Sequence, residues 1–191
     1  MKKKLLLVAI VLVVALVCLS ACGYQSTLDE ITKLLNANYS KITLNIETTQ
    51  FGVTLKGIYN LTFNGDTTTI VYSVEKLNEP SADGSANFKT TETGTVVVKD
   101  GKIEGESSNL PDAVYYGGIS FKQAYFKNIQ SKGVRFEADV TNPKGFTGNR
   151  ELKCTKMHVK VLHKKDALTQ LVITYVAENG SNVDITYLFT K

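Results

Sequence analysis

From Tyr39 onward, apolar and polar residues alternate at a period of two, and this period restricts the fold more than any other feature of the chain. Ile42, Leu44 and Ile46 alternate with Lys41, Thr43, Asn45 and Glu47. Successive strand side chains point to opposite faces, so the pattern predicts antiparallel strands with one apolar and one solvated face. In the next run Phe51, Val53, Leu55, Tyr59, Leu61 and Phe63 share one parity. Asn64-Gly65-Asp66 then turns the chain into a strand with Ile70, Tyr72 and Val74 aligned, and a later strand ends at Val96-Val97-Val98, before the tight turn Asp100-Gly101. The rhythm returns with Val134, Phe136, Ala138 and Val140, with Leu152 to Leu162, and with Leu168 to Ala177 and Val183 to Phe189. These last two flank Asn179-Gly180, the strongest hairpin signal present.

Two segments depart from the period. Ser26 and Thr27 offer N-caps, and Leu28, Ile31, Leu34 and Leu35 recur at one-face helical spacing to about Asn38. Ser120 and Gln123 stand in capping-box positions, and Phe121, Ala124, Tyr125 and Ile129 share a helical face over Ser120 to Gln130. The expected fold is mainly β (α+β): a strongly curved antiparallel sheet or half-barrel with an N-terminal helix and an inserted helix packed on its concave face. The alternative is a β-sandwich, with both helices peripheral.

Ahead of this domain, Lys2, Lys3 and Lys4 precede an uncharged apolar run from Leu5 to Leu19 and then Ser20-Ala21-Cys22. A basic start, an apolar middle and small residues at a cut site have the order of a secretory signal. About 15 apolar residues fall short of the roughly 20 that a membrane-spanning helix needs. Leu19-Ser20-Ala21-Cys22 resembles the bacterial lipobox, and that resemblance implies cleavage before Cys22 and a covalent diacylglycerol on its sulfur. The expected organisation is a signal peptide over 1–21, a lipidated cysteine and short tether over 22–26, and one domain over 27–191. The expected location is extracytoplasmic, anchored to the cell membrane, in its outer leaflet if the cell is Gram-positive. Only Gly23, Tyr24, Gln25 and Ser26 separate Cys22 from the helix, so the domain is expected within roughly 15 Å of the bilayer.

Loss of residues 1–21 removes three of the 22 Lys+Arg and leaves 19 against 18 acidic residues, a balance of about +1 instead of +4. The remaining lysines are scattered, so no nucleic-acid partner is expected. Cys18 leaves with the signal and Cys22 carries lipid, so Cys154 has no disulfide partner and reads as a small apolar core residue. No catalytic site and no metal site is expected. His158 and His163 lie five apart in one strand and point to opposite faces. Cys154 and His158 share a parity, but four strand residues span roughly 13 Å, against the ~3 Å of a thiol–imidazole hydrogen bond.

The lipobox, N-terminal helix, strand meander, inserted helix and closing hairpin resemble the LolA/LolB lipoprotein carriers, and are similar to the LppX/LprG type of mycobacterial lipoproteins. The resemblance covers most of residues 25–190 as element order. It implies a half-open barrel, lidded by helices, that holds acyl chains. Residues that would line such a cavity are Phe51, Val53, Leu55, Tyr59, Leu61 and Phe63 under a lid carrying Phe121, Tyr125 and Ile129, or else these form ordinary core. The LolB type also carries an exposed apolar loop residue; Phe146, between Gly145 and Thr147, holds that position here unless it folds back onto the core. The expected function is a non-enzymatic, membrane-anchored lipoprotein that binds or carries a lipid or other hydrophobic ligand, with no cofactor beyond its own diacylglycerol. The rival is a structural or interaction lipoprotein that meets an envelope protein through its polar face or sheet edges.

Overall fold

The computed structural model describes residues 24–77, 88–100, 102–104, 110–114 and 116–191. Helix α1 covers residues 24–35. The strands are β1 (Lys41–Gln50), β2 (Val53–Asn64), β3 (Thr67–Leu77), β4 (Phe88–Lys99), β5 (Lys102–Glu104), β6 (Phe126–Lys132), β7 (Arg135–Val140), β8 (Cys154–His163), β9 (Leu168–Ala177) and β10 (Asn182–Thr190), with a short helix α2 (Pro143–Thr147) between β7 and β8. All ten strands belong to one antiparallel sheet in the order β5-β4-β3-β2-β1-β10-β9-β8-β7-β6. Two five-stranded meanders therefore meet where β1 pairs β10, from Lys41↔Thr190 to Thr49↔Asn182. The sheet is not closed, because β5 and β6 lie at opposite edges.

The register explains the alternation. One row runs Phe136, Val161, Leu171, Tyr187, Leu44, Tyr59, Tyr72 and ends at Gly94. Gly94 is required there, since a Cβ on it would come within 2.6 Å of the Tyr72 ring. The row beside it, on the opposite face, reads Glu137, Lys160, Val172, Thr186, Asn45, Ile58 and Ser73. One face thus carries the core and the other faces water. Burial of the first row is the main stabilising term, at about 25 cal/mol for each Å² of apolar surface removed from water.

Three segments cover the apolar face. Helix α1 buries Leu28, Ile31, Leu34 and Leu35, as its 3.6-residue spacing requires. It crosses the strands: Glu30 lies 3.9 Å from His163 at the end of β8, while the turn after α1 borders Leu61 of β2 and Ile70 of β3. Tyr39 fastens this layer, because its hydroxyl donates to the Leu34 carbonyl (2.7 Å) and accepts from the Leu168 N–H (2.9 Å). Residues 24–26 are already helical, so Ser26 and Thr27 lie inside α1 and do not cap it. Most of the expected tether over 22–26 is therefore helix, which rises only about 1.5 Å per residue.

Residues 110–114 and 116–125 form the second cover, and here the expected helix over Ser120 to Gln130 is corrected. The structure has a single 3-10 turn, Gln123–Tyr125, and then strand β6. The Ser120 N–H donates to the Phe146 carbonyl (2.8 Å), a tertiary bond that replaces the expected capping box. From Phe126 the backbone pairs with β7, Phe126 opposite Val140, and so satisfies donors and acceptors that β7 would otherwise leave open. The third cover is α2. Asn142 caps it by accepting from the Gly145 N–H (3.0 Å), Pro143 fits its first turn, and Gly148 ends it in the left-handed region at φ 74°. A Cβ on Gly148 would come within 2.8 Å of the Gly118 carbonyl oxygen, so glycine permits the close approach of α2 to the 110–125 segment.

Candidate ligand cavity

Between the sheet and the 110–125 segment the apolar face is incompletely filled. A cavity of about 430 Å³ lies toward β2 and β3, walled by Leu35, Leu61, Phe63, Ile70, Val98 and Val114. A second, of about 310 Å³, lies toward β9 and β10, walled by Ile46, Ile119, Leu152, Ile173, Ile185 and Tyr187. Tyr116 borders both. Its ring stands edge-on to Tyr187 and Phe189, each 6.2 Å away between centroids. The segment that carries Tyr116 is tied down nearby, where the buried Tyr187 hydroxyl donates to the Ala113 carbonyl (2.7 Å). Burial raises the pKa of Tyr187, and it also raises those of Tyr116 and Tyr175, which borders the second cavity. All three hydroxyls are therefore protonated donors at neutral pH.

A larger concavity, about 820 Å³, lies along β8 to β10 and mixes Asp139, His158, Thr174 and Asp184 of the polar face with Met157 and Tyr175. One ionisable pair on its wall, Asp139 and His158, belongs to a polar cluster beside it. His158 Nδ1 lies 3.0 Å from Asp139 Oδ1 and its Nε2 3.1 Å from Glu137 Oε1, while Arg135 pairs with Glu137 and Asn128 donates to Asp139 (2.6 Å). Among the described residues no group of three His, Cys, Asp or Glu side chains is arranged to hold a metal ion. The hydrogen bond from Arg135 holds the Glu137 carboxyl below its ordinary range, and that from His158 does the same for Asp139. A depressed folded pKa contributes stability above the unfolded carboxylate value and loses it as pH falls through the folded one. Thermal melting midpoints should therefore decline more steeply below pH about 4.5 in the native chain than in a Glu137→Gln, Asp139→Asn double variant. Parallel acid profiles would show that the cluster adds nothing.

The structure separates the residues that sequence parity had grouped. Leu61 and Phe63 line the larger cavity. Tyr59 is buried against Tyr72, with ring centroids 5.8 Å apart, and lines neither. Phe51, Val53 and Leu55 are corrected: they are exposed, Phe51 at 93 %. They share the core parity, but the covering layer ends before it reaches their end of β2. Phe121 is buried in a cluster with Phe126, Phe136 and Phe146, whereas Tyr125 and Ile129 are half-buried; none of the three borders either cavity. They form no lid because the helix that was to carry them is absent. Phe146 is likewise corrected from an exposed loop residue to a fully buried one. The lining residues that parity missed, Pro111, Ala113, Val114, Tyr116 and Ile119, come from a stretch without period, where the only signal was the break at Tyr116-Gly117-Gly118. The bulge between Cys154 and Lys156 also turns Cys154 toward the core, whereas His158 faces outward, so the two do not share a face. Cys22 lies outside the described residues.

Phe51 sits at φ 50° and Gly52 at φ 79°, in the two-residue turn between β1 and β2. A turn with positive φ at both central residues favours Asn-Gly, and a bulky side chain in that region is strained. Phe51→Asn is expected to raise stability by about 1 kcal/mol, read from the urea midpoint. A destabilised variant would mean that the ring packs on another part of the chain.

No family model matches this chain, and no curated protein does. Among solved structures, a redesigned β barrel, mFAP1, bound to DFHBI, is similar at 12% identity over 83% of this chain and 98% of that one, with a TM-score of 0.24. A second redesigned barrel, mFAP0, also bound to DFHBI, covers 78% and 96% at 12% identity and a TM-score of 0.22. The bifunctional dehydratase-cyclase domain of ambruticin biosynthesis covers 80% and 74% at 11% identity and a TM-score of 0.20. Similarities of this size bring neither ligand nor activity to the present chain.

Proposed function

We propose that the protein is an extracytoplasmic lipoprotein, held to the membrane by a diacylglyceryl group on Cys22, that binds a hydrophobic ligand without catalysis. The ligand lies between the apolar face of a sheet curved around it and the cover formed by residues 110–125. The observation that carries this reading is the pair of apolar cavities meeting at Tyr116. Clefts of this size beside a half-buried tyrosine are concave and mainly apolar, with polar groups at their rims, as small-molecule sites are. Among the described residues no helix is long and apolar enough to cross a membrane; the reading rests the membrane attachment on Leu19-Ser20-Ala21-Cys22.

The test is lipid extraction from full-length protein captured from membranes, quantified against an Ile185→Trp variant whose added ring fills the smaller cavity. One molar equivalent or more of an apolar molecule should accompany the native chain and fall by at least half in the variant. Equal recovery from both, or none from either across several expression hosts, would overturn the reading.

A further inference from the structure

Building on the ligand-binding reading, we infer that the ligand is a lipid with two apolar arms and a head group that carries no negative charge, seated astride Tyr116. The two arms follow from the shape of the site. Each cavity alone, at about 430 and 310 Å³, is at the small end of the roughly 300–1,000 Å³ typical of ligand sites. They are separate lobes, one over β2 and β3 and the other over β9 and β10, and they touch at a single aromatic side chain. The Tyr116 ring packs on Tyr187 and Phe189 by edge contacts, and among the described residues its hydroxyl makes no hydrogen bond.

The charge of the head follows from the lining. Among the described residues no Lys, Arg or His lines either lobe, and the one carboxylate is Asp112, at the exposed rim of the smaller lobe, where it accepts from Asn149 Nδ2 (2.8 Å). Arg150 and Lys153, the cations nearest that rim in sequence, are exposed and line neither lobe, and Lys153 pairs with Glu178. A phosphate or carboxylate seated at the rim would meet the like charge of Asp112 with no cation in the lining to offset it, and like charges at close range disfavour one another. A hydroxyl-bearing head meets the opposite situation. The Asp112 carboxylate accepts, the Tyr116 and Tyr175 hydroxyls donate, and the Thr48 hydroxyl on the same wall does either.

The experiment places the full-length protein in phosphatidylcholine vesicles that contain, at equal mole fraction, one of three probes with a photoactivatable group on the acyl chain. These are dioleoylglycerol, dioleoylphosphatidic acid, which differs from it by the phosphate, and monooleoylglycerol, which differs by one chain. Cross-linked peptides are mapped by mass spectrometry. Dioleoylglycerol should label peptides from both lobes, one containing Leu61 to Ile70 and the other Ile173 to Tyr187. Its yield should exceed that of the phosphatidic acid by at least about tenfold, equivalent to about 1.4 kcal/mol. Asp112→Lys, a change at an exposed position, should bring phosphatidic acid up to the dioleoylglycerol level, and the milder Asp112→Asn should narrow the ratio in the same direction. Equal labelling by phosphatidic acid in the native chain, or an unchanged ratio in both Asp112 variants, overturns the charge rule. Labelling of both lobes by monooleoylglycerol at the dioleoylglycerol yield overturns the two-armed ligand. Labelling of neither lobe by any probe overturns the ligand-binding reading itself.

Discussion

Phe146→Ala should cost about 3 to 5 kcal/mol of unfolding free energy, the range for an aromatic side chain removed from a well-packed core. Phe146 has no exposed surface. Its ring stands edge-to-face with Phe121 and Phe126, at centroid distances of 5.4 and 5.5 Å, and those rings pack edge-on against Phe136. This four-ring cluster joins α2, the 110–125 segment and strands β6 and β7. The Phe146 carbonyl also accepts from the Ser120 N–H, so loss of the ring opens a cavity where two covering segments are tied together. Urea unfolding of the variant should show a lower midpoint with little change in slope. A loss under about 1 kcal/mol would contradict the burial and return Phe146 to the role of exposed loop residue.

Cys22→Ser should release the protein from the membrane. Under the proposed lipidation the cysteine carries two acyl chains, and one chain binds a bilayer only marginally whereas two hold it stably. Serine offers no thiol for the diacylglyceryl transfer, so the variant should be missing from washed membranes or remain as an uncleaved precursor that still contains residues 1–21. Fractionation followed by intact-mass measurement distinguishes these outcomes. A variant that stays in the membrane fraction as firmly as the native chain, with the native mass, would refute the anchor. The prediction is independent of the cavity, since it concerns only the thiol of residue 22.

The exposure of Phe51 and the burial of Phe146 mark where one-dimensional reading stops. Both are single aromatic residues beside glycine: parity put Phe51 on the wrong side, and position left Phe146 open between an exposed loop and the core. A period of two tells which residues share a face, but whether that face is covered depends on where distant segments end. Leu61 and Phe63 sit beneath the layer made by α1 and residues 110–114, whereas Val53 and Leu55, on the same face of the same strand, extend past it. Cys154 shows the same limit on a smaller scale, because one bulge reverses a parity that counting cannot correct.

What the chain determines locally is the two-faced antiparallel sheet and the amphipathic first helix. Hydrophobic spacing and turn chemistry are short-range properties that any window of the sequence displays. Tertiary structure alone decided the rest. Residues 120–130 have a helical apolar pattern, yet they become a turn and an edge strand, because pairing with β7 satisfies a whole row of backbone hydrogen bonds that a helix would leave open. The cavity is decided there too. Its walls come from α1, β1 to β4, β9 and β10 and from an aperiodic segment, brought together only when β1 pairs with β10. Its emptiness is a property of volumes, set by how closely the 110–125 segment can approach the sheet while the Tyr187 hydroxyl holds Ala113 and Tyr116 rests on Tyr187 and Phe189.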